Sequence, residues 1–318
     1  MSRKLITIST IMTLMSTSVI ADVPNVAADI APIHSLVSRV MDGVGAPKLI
    51  VQSGASPHGY RLRPSEAKAL QDADHVFWMG EELTPWLDSA IGTLASKASV
   101  TTLLDQEGII LHNFREGALF EAHDHSAHGD DDHDDHKDHD DHDDHDDHGS
   151  HDPHAWLSPE NAKLWLNIIA SKLSVSDPEN AATYFMNAAA GQAEIEAMIA
   201  EVKATLKPVQ GGKFVVFHDA YQYFENDFDF YASGAISLGD SSDPSPARIE
   251  KVQKRIRDEG IQCVLAEPQF KKGLVATVME GSDATASVID PLGAELETGP
   301  KLYTRLIKNM AKTLRNCL

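Results

Sequence analysis

Lys48-Leu49-Ile50-Val51, residues 65–73, His75-Val76-Phe77-Trp78 and residues 84–95 follow one another as apolar run, helical pattern, apolar run, helical pattern. The short runs are rich in β-branched or aromatic residues and read as strands, while the longer stretches carry apolar residues at helical spacing. The rhythm resumes with strands over 213–217, 230–237, Cys263-Val264-Leu265 and 286–289, interleaved with helices such as 247–257 and 301–316. Strand–helix alternation predicts an α/β fold with parallel sheets. Two such series, separated in sequence, predict two (β/α) lobes.

Between them, residues 177–206 place Tyr184, Ala188, Ile195, Met198, Ile199, Val202 and Leu206 at helical spacing, with Gly191 the lone glycine. Pro178 suits a first helical turn and Pro208 a stop. A helix of about 30 residues would run roughly 45 Å, a stiff spine between lobes. The expected organisation is therefore a leader over 1–21, an N-terminal lobe over 22–176, a connecting helix over 177–207 and a C-terminal lobe over 208–318.

The leader reading rests on Arg3 and Lys4, the apolar stretch over 5–20 and the ending Val19-Ile20-Ala21, the pattern of a cleaved secretory signal. No cysteine stands near the cleavage point to take a lipid, which predicts a free periplasmic protein. In an exported chain the two cysteines, Cys263 and Cys317, are expected to pair and to tie the last helix to the body. Neither lies in a CxxC spacing.

The formal charge of −21 is concentrated. Residues 121–152 hold fourteen Asp, one Glu and one Lys, a balance of −14 that leaves −7 for the rest of the chain. The remainder is mildly acidic and has no basic patch, which argues against nucleic acid and anionic membranes as partners. Within the same segment His123, His125, His128, His133, His136, His139, His142, His145, His148 and His151 make ten of the sixteen histidines, seven of them at every third position. A period of three suits neither helix nor strand and there is little to bury, so 115–152 is expected to be a disordered loop inserted in a folded lobe. Imidazoles among carboxylates suit Zn²⁺, Ni²⁺ or Cu²⁺ better than Ca²⁺ or Mg²⁺. Many interchangeable ligands on a flexible loop fit collection or buffering rather than one tight site.

A tight site needs histidines held singly by the scaffold. His58 follows the first apolar strand in Ser53-Gly54-Ala55-Ser56-Pro57-His58; His218 ends the strand over 213–217; and His154 precedes a helix that Ser158 caps and Pro159 begins. The carboxyl ends of parallel strands are where α/β sheets place ligands. Three such histidines, reached from both lobes, could converge on one ion in the cleft.

The stretches Gly54-Ala55-Ser56-Pro57-His58-Gly59-Tyr60-Arg61-Leu62-Arg63-Pro64-Ser65, Pro153-His154-Ala155-Trp156-Leu157-Ser158-Pro159 and Val216-Phe217-His218-Asp219-Ala220-Tyr221 resemble the three metal-ligand motifs of zinc-specific, ZnuA-type substrate-binding proteins of ABC importers. The likeness extends over nearly the whole mature chain, with the spine helix, the His/Asp-rich loop and the late cysteine pair. It implies zinc held in the interlobe cleft by His58, His154 and His218, and a monomer that passes zinc to a membrane permease, with periplasmic zinc chaperones as further partners. It also implies a candidate fourth ligand, Asp290, in Val288-Ile289-Asp290-Pro291, with water as the alternative. Some zinc relatives place Glu directly before the first histidine, where this chain has Pro57.

Tyr60, Trp156 and Phe217 read either as walls of that site or as core aromatics. His34, His75 and His112 read as structural, and Glu267 as a capping or packing carboxylate before a cleft-facing one. A zinc hydrolase is a weaker reading, since the chain lacks HExxH and GxSxG and offers no evident general base. A manganese-binding importer component or adhesin is disfavoured by His218, because manganese-binding relatives use a carboxylate there. No enzymatic activity is expected.

Overall fold

The computed structural model describes residues 23–115, 120, 151–237, 244–270 and 272–318. The expected leader and the histidines from His123 to His148 lie outside them.

The N-terminal half begins with β1 (Val26–Ala28), α1 (Ala31–Val40), β2 (Lys48–Leu49), α2 (Pro64–Gln71), β3 (His75–Trp78), α3 (Pro85–Leu94) and β4 (Ser99–Thr102). Two helices follow, α4 (Pro159–Ser176) and α5 (Ala181–Leu206). The second series comprises β5 (Phe214–His218), α6 (Gln222–Phe228), β6 (Ala235–Ser237), α7 (Pro246–Glu259), β7 (Cys263–Ala266), α8 (Lys272–Met279), β8 (Thr285–Val288) and α9 (Leu302–Cys317). These strands form two parallel four-stranded sheets, ordered β2-β1-β3-β4 and β6-β5-β7-β8. The inner strands β1, β3 and β5 are buried at every residue, as parallel strands covered on both faces must be, whereas the edge strand β8 is mostly exposed.

Both sheets share one winding rule. The chain passes from the first strand to one side, then returns to the other, so order reverses beside β1 and again beside β5. In open α/β sheets that reversal opens a crevice at the carboxyl ends of the strands. His218, the last residue of β5, and Glu267, just after β7, flank the crevice of the second sheet.

The spine differs from expectation at its ends only. A 3₁₀ turn over Pro178–Asn180 precedes α5, whose 26 residues span about 39 Å. The residues expected on its apolar face are buried. Gly191 is there for contact: a Cβ at this position would lie 2.9 Å from Leu166 and 3.1 Å from Arg39, so its absence lets α5 settle against α4 and α1. A single apolar cluster runs from β1 and α1 through α4 and α5 to β5 and α9, joining the two halves. Cys263 and Cys317 form the expected disulfide, with Cα atoms 5.6 Å apart, fastening the end of α9 to β7. No helix among the described residues is long and apolar enough to cross a membrane.

Strand boundaries moved modestly. β6 is shorter than the run over 230–237: Ser233 N bonds Phe214 O at 2.8 Å, but the ladder with β5 starts at Ala235. Past β2, Ile50 and Val51 still donate to Ala28 and Asp29 at 3.0 and 2.8 Å, which accounts for the longer strand read there.

Candidate metal centre

β5 alternates faces, as any strand must. Phe214 and Val216 join the central cluster that contains α4 and α5, while Val215 and Phe217 enter the outer core under α7 and α8. His218 therefore falls on the inner face. Phe217 does not wall the site; it stacks on Phe270, ring centroids 4.1 Å apart, and Phe270 in turn lies edge-on to His218 at 5.5 Å.

His154 arrives from the other half, at the head of a 3₁₀ turn over Ala155–Leu157 that runs into α4. The turn is fixed from both sides. Ser158 Oγ accepts from Asn161 N, Trp156 Nε1 donates to Pro291 O at 2.8 Å, and the Tyr303 hydroxyl donates to Trp156 O at 2.9 Å. The Trp156 ring sits 5.2 Å from that of His154, as a wall should. His58 is carried by the loop between β2 and α2. Trp86 Nε1 donates to Pro57 O at 2.7 Å, and the Tyr60 hydroxyl donates to buried Glu66 at 2.8 Å. Tyr60 packs on Trp86 and belongs to the support of this loop.

His58, His154 and His218 bring ligand atoms within 4.8 Å of one another, the group of described His, Cys, Asp or Glu side chains close enough to share one ion. The Nε2 atoms of His154 and His218 are 3.4 Å apart. Two nitrogens each about 2.0–2.1 Å from a tetrahedral Zn²⁺ lie about 3.3–3.4 Å apart, so this pair already spans a tetrahedral edge.

Carboxylates fix both rings. His154 Nδ1 donates to Asp152 Oδ1 and His218 Nδ1 donates to Glu267 Oε1, each at 2.6 Å. With a carboxylate accepting at Nδ1, the hydrogen resides there and Nε2 presents its lone pair to the cleft. Asp152 is itself held: its N–H donates to His112 O at 2.7 Å and its C=O accepts from the Tyr223 hydroxyl at 2.6 Å. Burial pushes the Asp152 carboxyl up to about 7, opposed by the His154 backbone N–H and the Arg115 charge. Glu267 accepts a second bond from Gln269 Nε2 at 2.7 Å.

Neither carboxylate was singled out for this role in the sequence. In the sequence Asp152 belongs to the acidic run, and Glu267 reads first as a capping or packing carboxylate. An acidic residue two positions before a motif histidine was the available signal for the former. Asp290 lies outside the three-histidine group. Its carboxylate accepts backbone N–H from Leu292 at 3.0 Å, Gly293 at 2.8 Å and Ala294 at 2.6 Å, which shapes the turn after β8. Of the segment histidines, His151 is described: its backbone bridges antiparallel to Asn113 at the segment's base. His34, His75 and His112 take structural partners, namely Pro47 O, Ser176 Oγ, and Asn226 with the Tyr223 ring.

Residues 26–317 match the family model described as ZnuA, zinc-uptake complex component A, periplasmic. A relative from Brucella abortus, the high-affinity zinc uptake system protein ZnuA, is 47% identical over 304 residues, covering 92% of this chain and 91% of the relative. The Paracoccus denitrificans protein of the same name is 42% identical over 302 residues, with 94% and 93% covered. Among solved structures, a ZnuA crystal structure superposes with a TM-score of 0.73 at 22% identity, covering 93% of this chain and 99% of the other. A mutant laminin-binding adhesin from Streptococcus agalactiae superposes with the same TM-score at 20% identity, covering 93% and 99%. At such identities the superpositions speak to fold alone.

Proposed function

Because the chain belongs to the ZnuA family of periplasmic zinc-uptake components, we propose that it captures Zn²⁺ in the periplasm through His58, His154 and His218 and delivers it to the membrane permease of an ABC importer. The observation that carries this reading is the pair of carboxylate-anchored imidazoles with Nε2 atoms 3.4 Å apart. Three neutral imidazoles bring no charge to a dication. Asp152 and Glu267 accept from the far nitrogens of two of them, making the ring nitrogens that face the cleft better donors. The fourth position of the tetrahedron is assigned to water, with Asp290, which lies outside the three-histidine group and accepts three backbone N–H groups, as the alternative.

The imidazole set favours zinc over manganese, which prefers oxygen ligands. The reading is of a binding protein without a catalytic role, exported by cleavage of the leader over 1–21 and working as a monomer alongside periplasmic zinc chaperones. Residues His123 to His151 are assigned weaker, multiple metal binding. Protons compete with the metal for each imidazole, so affinity falls as the solution is acidified.

The deciding experiment is a chelator-competition titration with Zn²⁺ and Mn²⁺ at neutral pH, on the intact protein and on His58→Ala. One tight zinc per chain, poor competition by manganese, and loss of that event in the variant with the weaker events spared are expected. Unchanged tight binding in His58→Ala would move the site elsewhere.

A further inference from the structure

Arg115 stands just outside the metal site, in the chain that leads into the His/Asp-rich segment. Its guanidinium reaches buried carboxylates of the second series. Nε donates to both oxygens of Asp219 at 3.0 and 3.1 Å, and Nη2 also bonds Asp219. Nη1 donates to Glu225 Oε2 at 2.6 Å, and Nη2 reaches Glu225 Oε1 at 3.4 Å. Phe120 lies over the guanidinium face, 3.6 Å from its carbon to the ring centroid. Asp219 and Glu225 are 7% and 1% exposed, so this is a desolvated cluster rather than a surface pair.

The position of Asp219 gives the cluster its meaning. It directly follows His218, where β5 leaves the sheet, and Glu225 sits on α6, the next element. A planar fork bonded to both fixes the short connection between them, and with it the peptide that sets the His218 ring. On the other side, the chain carrying Arg115 is joined to the chain carrying His154: Asn113 bridges to His151, and Asp152 N donates to His112 O at 2.7 Å.

We infer that Arg115 is a positioning residue for the metal site, acting through Asp219 on His218 and docking the chain that enters the His/Asp-rich segment onto the C-terminal half. The inference rests on His218 being a zinc ligand. Two of the three imidazoles are then held in register by one guanidinium: His218 through Asp219, and His154 through the Asn113–His151 bridge and the Asp152–His112 backbone bond in the chain that Arg115 anchors. An ammonium cannot reproduce this, since it cannot present a planar fork to two carboxylates.

The test compares Arg115→Met, Asp219→Asn, the double variant and Arg115→Lys in the intact protein, with His218→Ala as reference and Arg39→Met as a control. Zinc affinity is measured by chelator competition, the absorption spectrum of bound Co²⁺ reports ligand geometry, and melting of the zinc-free form reports stability. Asp219→Asn should weaken zinc binding about tenfold and alter the cobalt spectrum, and Arg115→Met in that background should add less than about twofold. Arg115→Lys should recover part of the loss, and Arg39→Met, which removes the bidentate pair with Glu194 on α5, should leave affinity unchanged. Because Arg115→Met strands two buried carboxylates and risks not folding, the triple variant Arg115→Met/Asp219→Asn/Glu225→Gln removes the charged cluster as a unit. Wild-type affinity and cobalt spectrum in that folded triple variant, or fully multiplicative losses in the double, overturn the inference. Retention of the tight zinc in His218→Ala would instead sink the ligand assignment beneath it.

Discussion

His218 and His58 face the same cleft from opposite halves, yet they are held in different ways. His218 is the final residue of a buried strand, 3% exposed, with its ring fixed by Glu267 just past the end of the neighbouring strand β7. Its place follows from the sheet: strand register and alternation put it at the crevice, and one carboxylate orients the ring. His58 is half-buried, in the irregular stretch between Leu49 and Pro64, and its placement depends on a few side-chain pins from α2 and α3. A ligand on a strand end inherits the rigidity of the core. One on a loop is only as well placed as the bonds that hold the loop, so the two arms should respond differently to substitutions around them.

The largest effect that would bear on this contrast comes from His218→Ala. It removes the proposed ligand at the rigid end and should abolish the tight zinc event, a loss larger than the roughly 10–100-fold typical of losing an outer-shell partner. Competition against a chelator of known affinity measures it. Glu267→Gln is the next step down. Glutamine can still accept from Nδ1 but carries no charge, so affinity should fall about tenfold with the fold intact. Should Glu267→Gln bind zinc like wild type, the charge behind His218 would have no bearing on affinity, and orientation by the hydrogen bond alone would suffice.

Trp86→Phe probes the loop-borne arm. It keeps an aromatic ring against Tyr60 and deletes the bond to Pro57 O, the carbonyl beside His58. A neutral hydrogen bond is worth about 0.5–1.5 kcal/mol net, so a loss of about two- to tenfold is expected, carried by faster zinc release. Stopped-flow release into excess chelator would show it. An effect exceeding that of Glu267→Gln would reverse the comparison and make the loop the more critical arm.

How much of this was readable in advance follows the same division. The strand-end position of His218 could be read because an apolar run stops there, and His154 because Ser158 and Pro159 mark a helix start directly after it. The spine is legible from one apolar face of seven residues at helical spacing between Tyr184 and Leu206. By contrast β1, Val26–Ala28, passed unnoticed: three residues, two of them alanine, carry little strand preference, and burial on both faces stabilises them as strand. Of the two readings open for Phe217, site wall or core aromatic, the structure takes the second, because adjacent residues on a strand face opposite ways and Phe217 points away from the side that carries His218. Asp152, Glu267 and Arg115 act through partners distant in the chain or hidden in a charge run. Charge and composition identify such residues as acidic or basic without saying which neighbour they will meet.

The smallest expected change in zinc affinity belongs to the disulfide, and its smallness tests whether the sheet itself holds the C-terminal arm. Cys263 begins β7, whereas Glu267 follows that strand's other end, about 13 Å away at 3.3 Å per residue. Replacing Cys263 and Cys317 with serine together frees α9 from β7. For a bridge between residues 54 apart, the chain-entropy model gives about 4 kcal/mol of stability, lost because the unfolded chain regains its freedom. If β7 is placed by its ladders with β5 and β8, the folded protein should keep Glu267 on His218 and bind zinc within about twofold of wild type, while melting well below it. Thermal melting together with competition titration separates the two effects. A stable, folded variant with tenfold weaker zinc binding would mean that the staple, and not the sheet, sets the carboxylate that orients His218.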